Sequence, residues 1–118
     1  MNEPKFKIGT DIIEVDTFRR KPLKANMRFY NSIFTKLELA RCLKYSDPYP
    51  HLAGIFAAKE SVIKCLNRRL RMLDIVIIQD AFGKPTAVVT QYNDKNIKTE
   101  ISISHTRSLA IAFAVIVS

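Results

Sequence analysis

Between Phe56 and Lys64 the chain reads Phe-Ala-Ala-Lys-Glu-Ser-Val-Ile-Lys, one acid and two bases in an otherwise apolar stretch. Glu60 and Lys64 stand four residues apart and share a helix face, while Phe56, Ile63 and Leu66 offer an apolar stripe on which that helix can pack. Two readings of the pair are open: a surface ion pair worth a few tenths of a kcal/mol, or charged groups held at the border of a core for chemistry. Two more polar sets fall at the ends of apolar runs, Asp11 near the start and Ser104-His105-Thr106 near the end. Carboxylates from separate elements among cations suit Mg²⁺, which takes oxygen donors and shares its octahedral shell with waters and substrate phosphates. The surplus bases would then hold phosphate. Taken singly, Asp11 reads equally well as a turn or cap residue, and His105 as a hairpin residue with an ordinary hydrogen bond.

The elements that must position these groups are legible from periodicity. Phe6 to Val15 reads as a strand, with Gly9-Thr10-Asp11 expected to bend it and place Asp11 at the bend. Thr17 to Tyr30 is basic and aromatic, interrupted by Pro22, and predicts one short helix followed by another. Thr35 followed by Glu38 is a capping-box signature and predicts a helix from Lys36 to about Tyr45, ended by Ser46-Asp47-Pro48-Tyr49-Pro50. The longest helix is expected from His51 to about Asn67. Ile75 to Ile78, Thr86 to Gln91, Thr99 to Ser104 and Leu109 to Val117 read as strands, with a turn at Ala81-Phe82-Gly83-Lys84-Pro85, a polar loop from Tyr92 to Lys98 and a hairpin at His105-Thr106-Arg107-Ser108. The order predicts a single α+β domain over 1–118: an N-terminal strand, helices, then an antiparallel β-meander.

With 118 residues the chain is long enough for a modest core but short for an enclosed cleft, so a site shared between subunits is plausible. Apolar residues at 47% and charged residues at 25% exclude a disordered chain. The net charge of +8 selects polyanionic partners: nucleic acid, anionic lipid, phosphorylated small molecules or an acidic protein. Cys42 and Cys65 lack metal-site spacing and read as buried free thiols in a reducing compartment. No signal-peptide pattern or membrane-length apolar run is present, so the expected location is the cytoplasm, with no membrane partner.

The segments Ile8-Gly9-Thr10-Asp11-Ile12, Leu52-Ala-Gly-Ile-Phe-Ala-Ala-Lys-Glu60 with Lys64, Gly83-Lys84-Pro85, and Ser102-Ile-Ser-His-Thr106 together resemble the holo-(acyl-carrier-protein) synthase family, in order and spacing over nearly the whole chain. The resemblance implies a 4′-phosphopantetheinyl transferase fold and a Mg²⁺-dependent transfer of 4′-phosphopantetheine from coenzyme A to a serine of an apo acyl carrier protein. The products would be holo carrier protein and 3′,5′-ADP, in fatty acid or related lipid and polyketide biosynthesis. By the same resemblance Asp11 and Glu60 would ligate Mg²⁺, and Lys64 would contact the phosphates with Lys59 as a helper. His105 and Thr106 would line the coenzyme pocket, and Gly83 and Pro85 would bring bare backbone against it. The serine proton would pass to Glu60 directly, to Glu60 or Asp11 through a bound water, or to His105. The family also implies a homotrimer with sites at subunit boundaries, and an acidic carrier protein docking on the basic segment that holds Arg19, Arg20, Lys21, Lys24 and Arg28.

Three places depart from the family's pattern. Ile55 stands where Arg is usual, which removes a cation near the phosphates; Asn67-Arg68-Arg69-Leu70 replaces a Gly-Thr-Gly turn, with Asn67 best able to turn left-handed; and Thr17 replaces a basic docking residue. These changes make a catalytically weak or silent relative that binds coenzyme A or a carrier protein the alternative reading. A basic nucleic-acid-binding module is a further one, although no Gly-rich nucleic-acid loop, zinc knuckle or aromatic stacking platform accompanies the charge.

Overall fold

The computed structural model describes residues 5–90 and 98–117. Among these, the elements in chain order are β1 (Phe6–Glu14), α1 (Asp16–Arg19), a 3₁₀ turn at Leu23–Ala25, α2 (Met27–Ile33), α3 (Lys36–Cys42), α4 (Tyr49–Leu66), a 3₁₀ turn at Met72–Asp74, β2 (Ile75–Gln79), β3 (Pro85–Val89), β4 (Lys98–His105) and β5 (Leu109–Val117). The expected α+β order is therefore present. The polar loop expected at 92–98 and the end of the strand expected at Gln91 lie outside the described residues, except for Lys98.

All paired strands are antiparallel, but they divide into two sheets: a three-stranded sheet in the order β1-β5-β4 and the β2-β3 hairpin. The first strand thus pairs with the last, in a register that sets Asp11 opposite Ala112 and Ile12 opposite Ile111. Because side chains alternate along a strand, Gly9, Asp11 and Ile13 share one face with Ala110, Ala112 and Ala114 of β5. That face packs under α4, and the three alanines are essentially inaccessible to solvent. The small β5 side chains admit the helix closely.

Glycine completes the approach. A β-carbon on Gly9 would lie 2.1 Å from the carbonyl oxygen of Ser61 in α4. The strand is consequently unbroken from Phe6 to Glu14, and the bend expected at Gly9-Thr10-Asp11 does not occur. The glycine serves helix-on-sheet contact, and Asp11 sits mid-strand facing the helix.

α3 begins with the reciprocal capping box: Glu38 N–H donates to Thr35 Oγ1 at 3.2 Å, and Thr35 N–H donates to Glu38 Oε1 at 2.8 Å. It ends at Cys42, short of Tyr45, because the following amides of Lys44 and Tyr45 bond three residues back, to Arg41 and Cys42, in a tightened last turn. α4 carries Pro50 in its first turn and ends at Asn67, whose φ of 50° and ψ of 45° form the left-handed cap expected of it. Both cysteines are buried and free, and burial pushes the Cys42 thiol up to about 12.

Candidate active site

α4 lies on β1 with its second half beside Asp11. Lys64 Nζ donates to the Thr10 carbonyl at 2.8 Å and to Asp11 Oδ1 at 3.2 Å. Glu60, one turn earlier on the same face, is half-buried. Its carboxyl is pushed above the usual carboxylate range by burial first and by the negative charge of Asp11 second, with Lys64 opposing both. The structure therefore brings Asp11, Glu60 and Lys64 together from two elements. Two carboxylates and one lysine half in solvent thus meet at the border of helix and sheet, one more negative than positive charge in an otherwise basic chain.

A hard divalent cation fits that donor set. Two carboxylates leave most of an octahedral Mg²⁺ shell to waters and phosphate oxygens, which is the usual arrangement for this ion. Among the described residues no group of three or more His, Cys, Asp or Glu could hold a metal without such added ligands. The acids and Lys64 are thus suited to an ion that arrives with, or is completed by, a phosphate.

Lys59 does not join them. The reading of Lys59 as a helper on the phosphates is corrected here: its ammonium is wholly buried on the far side of α4, 2.7 Å from Glu38 Oε1 and 2.6 Å from the Ile33 carbonyl. The other Glu38 oxygen accepts from Ile77 N–H at 2.7 Å. Burial lowers the lysine's pKa, and the carboxylate counteracts this. The residue ties α4 to α2 and α3, and Glu38 carries the link on to β2.

His105, Gly83 and Pro85 gather at a second place, a cleft of about 200 Å³ at the N-terminal half of α4. Arg41, His51 and Ile55 also line it. The His105 ring meets the edge of His51 with centroids 4.7 Å apart, and His51 stacks on Tyr45 at 3.5 Å. Burial, then the neighbouring His105, lowers the His51 pKa. The buried Ile55 occupies the wall where a longer cation was expected from the family pattern, and Arg41, on α3, supplies a guanidinium to the same cleft while donating to the Ile77 carbonyl. Sequence reasoning missed Arg41 and His51; the one available signal was that His51 precedes Ile55 by four residues and so shares its helix face.

Thr106 lies in the exposed β4–β5 turn, where its hydroxyl accepts from the amides of Ser108 and Leu109 at 3.3 and 3.1 Å. It borders a shallow depression with His105, His51 and Asp47. Glu60 is nine residues beyond His51 on α4, about 14 Å along the axis at the rise of an α-helix. Within one chain the acid–lysine group and the histidine cleft are thus separate.

The basic segment is exposed at Arg20, Lys21, Lys24 and Arg28. Arg19, expected with them near the docking site, differs in being paired: both of its terminal nitrogens are held by Asp47, at 3.0 and 2.7 Å. Arg71, in the basic run after α4, is likewise held by Asp74 at 3.0 Å.

An α+β chain with paired acids at a helix–sheet border and a His-Thr turn beside a Gly-x-Pro hairpin is the arrangement with which known proteins are to be compared. A family profile described as the 4′-phosphopantetheinyl transferase superfamily matches residues 7–114. The chain is 42% identical over 115 residues to the holo-[acyl-carrier-protein] synthase of Protochlamydia amoebophila, covering 92% of this chain and 94% of that protein. The crystal structure of Helicobacter pylori holo-[acyl-carrier-protein] synthase in complex with coenzyme A superposes with a TM-score of 0.81 at 28% identity, covering 92% of this chain and 98% of that one. The Bacillus anthracis synthase in complex with CoA (3′,5′-ADP) gives 0.78 at 29%, covering 95% and 96%. The chain belongs to the 4′-phosphopantetheinyl transferase superfamily and, within it, to the holo-(acyl-carrier-protein) synthase family.

Proposed function

We propose that this chain transfers 4′-phosphopantetheine from coenzyme A to a serine hydroxyl of an apo acyl carrier protein, releasing 3′,5′-ADP, in the cytoplasm and in the service of fatty acid or related biosynthesis. The observation that carries the reading is the meeting of Asp11, Glu60 and Lys64 beneath α4 in a chain of this family. The serine oxygen bonds to the phosphorus that bears pantetheine, and the bond from that phosphorus to the departing 3′,5′-ADP breaks. Such a transfer needs alignment and neutralisation of phosphate charge more than covalent help. Asp11 and Glu60 would hold Mg²⁺, which when bound neutralises charge on the diphosphate. Lys64, half in solvent, would contact the same phosphates. Glu60 would accept the serine proton, directly or through a bound water, its raised pKa bringing it nearer the range of a general base at neutral pH.

His105 and Thr106, with the backbone at Gly83 and Pro85, would bind the remainder of the coenzyme. The distance between this cleft and the acids supports completion of each site by a neighbouring subunit. The outer face of the three-stranded sheet supports the same assembly: Phe6, Ile8 and Ile12 of β1 and Leu109, Ile111 and Phe113 of β5 all lie exposed on it. A contiguous apolar sheet face on a chain this charged is an association surface, and a homotrimer is the assembly we assign to it. The acidic carrier would dock on the basic segment through Arg20, Lys21, Lys24 and Arg28, steered by the net charge of +8.

The test is to incubate the protein with Mg²⁺, coenzyme A and an apo carrier protein and to weigh the carrier by mass spectrometry. A gain of one phosphopantetheine, lost in Glu60→Gln, is the expected result. No gain with any of several carriers, despite tight coenzyme binding, would reduce the chain to a binding relative.

A further inference from the structure

Arg19 makes more contacts across the fold than any docking residue requires. Its guanidinium grips the Asp47 carboxylate with two parallel bonds of 3.0 and 2.7 Å, and the same Nη2 donates to the Arg107 carbonyl at 3.2 Å. The guanidinium also lies 5.7 Å from the centre of the Tyr49 ring. Asp47 in turn accepts from the Tyr49 amide at 3.3 Å at the start of α4, and the Tyr49 hydroxyl accepts from Leu23 N–H at 3.2 Å. One side chain thus joins the basic segment, the entrance to α4 and the β4–β5 turn.

The turn it reaches is the one that carries His105 and Thr106. Otherwise that turn is held by its own bonds, Thr106 N–H to the Leu109 carbonyl at 2.8 Å and the Thr106 hydroxyl contacts, and by Val15 N–H to the Ser108 carbonyl at 2.9 Å. Asp47 and Arg107 border the same depression as His51, His105 and Thr106, so the ion pair forms part of its rim. The planar fork of arginine fixes its partner's orientation as well as its distance.

We propose that Arg19 is a positioning residue: anchored on Asp47, it sets the β4–β5 turn so that His105 and Thr106 meet the coenzyme, and thereby ties coenzyme affinity to the segment on which the carrier docks. The proposal rests on the reading of His105 and Thr106 as coenzyme contacts. The pair's mutual stabilisation agrees with it, since hydrogen bonding to Arg19 holds the Asp47 carboxyl below the usual range.

Steady-state transferase kinetics on the full chain, with coenzyme A and carrier varied in turn, separate this role from docking. Arg19→Ala and Asp47→Asn should each raise the coenzyme KM about three- to tenfold, the reach of one partly exposed bidentate pair, with the carrier KM unchanged. The double variant should be no worse than Arg19→Ala alone, because without the guanidinium the Asp47 carboxylate has nothing left to anchor. Arg19→Lys, which keeps the charge and loses the fork, should fall between wild type and Arg19→Ala. Hydrogen exchange at the amides of Thr106, Ser108 and Leu109 should quicken in Arg19→Ala while the β1–β5 ladder keeps its protection. A rise in the carrier KM alone, or turn amides unchanged, would overturn the proposal. His105→Ala is the control: if it raises the coenzyme KM and Arg19→Ala does not, the latch is wrong and the site stands. If neither raises it, the assignment of the turn to the coenzyme fails and the latch with it.

Discussion

Gly9 and Ser61 touch so closely that a single added methyl group would place its carbon 2.1 Å from the Ser61 carbonyl oxygen. The contact is backbone against backbone, so no rotamer change can relieve it. It also sets the height of α4 above β1, and with it the meeting of Glu60 and Lys64 with Asp11. Gly9→Ala should therefore destabilise by about 3 kcal/mol or more, at the upper end of overpacking effects. Thermal unfolding gives the first measure. Transferase activity in whatever fraction folds gives the second, and it should fall further than stability does, because Asp11 shifts relative to the helix.

Glu60 should trade stability for function. Its folded-state pKa is raised, so the native state holds its proton more tightly than the unfolded chain does. The stability associated with the protonated form is present below the unfolded value near 4.5 and is lost as pH rises through the folded value. At pH 7 in a chelator, Glu60→Gln should then melt no lower than wild type, and its stability should decline less between pH 4 and neutrality. Added Mg²⁺ should raise the melting temperature of wild type and leave the variant unmoved. Activity in the variant should drop by about a hundredfold or more. A variant that melts well below wild type in chelator would show that the carboxylate is structural.

The Lys59–Glu38 pair should behave in the opposite way. Both side chains are out of solvent and every charged atom has a partner, so removing one ion leaves the other buried without its counter-charge. Lys59→Met should cost about 3 to 5 kcal/mol in chemical denaturation. The coenzyme KM of the remaining folded protein should be little changed. A large, selective rise in that KM without a loss of stability would return Lys59 to the phosphate site.

Much of this was readable in the chain, and the exceptions share a cause. The capping box at Thr35 and Glu38 and the left-handed Asn67 are local devices, so their residues announce them. The long apolar period of α4 and the β-branched run of β5 are equally self-contained. Glu38, in contrast, looks like a capping residue and nothing more; its second role, toward Lys59 and Ile77, depends on which helix lands above it. Lys59 and Lys64 are the same residue type, and although spacing puts only Lys64 on the face of Glu60, nothing local says that the face of Lys59 is the one buried against Glu38. The supposed bend at Gly9 failed for the same reason: a glycine in a strand signals either a bend or a close neighbour, and the neighbour was 52 residues away. Spacing paired Glu60 with Lys64 and the family resemblance added Asp11, but neither pointed to the partners of Arg19.

The outer face of the sheet supplies the last prediction. Ile12 lies opposite Ile111 and Thr10 opposite Phe113, and Ile12, Ile111 and Phe113 are each exposed by 44% or more. Nothing in a lone chain accounts for apolar side chains aligned across two neighbouring strands, because inward and outward faces normally alternate between apolar and polar. Ile12→Asp together with Phe113→Lys would put charges on this face without touching the α4 side, where Gly9, Asp11 and the alanines of β5 make their contacts. The variant should fold, since both side chains lie on the outer face and neither belongs to the buried core, and its circular dichroism should match wild type. Sedimentation should show the assembly dissociated. If the acids of one subunit work with the histidine turn of another, activity should fall with assembly and recover as protein concentration is raised in the weaker single variant Ile12→Thr. A dissociated protein with full activity at every concentration would mean that each chain completes its own site, and the separation of about 14 Å between His51 and Glu60 along α4 would then have to be bridged by the coenzyme itself.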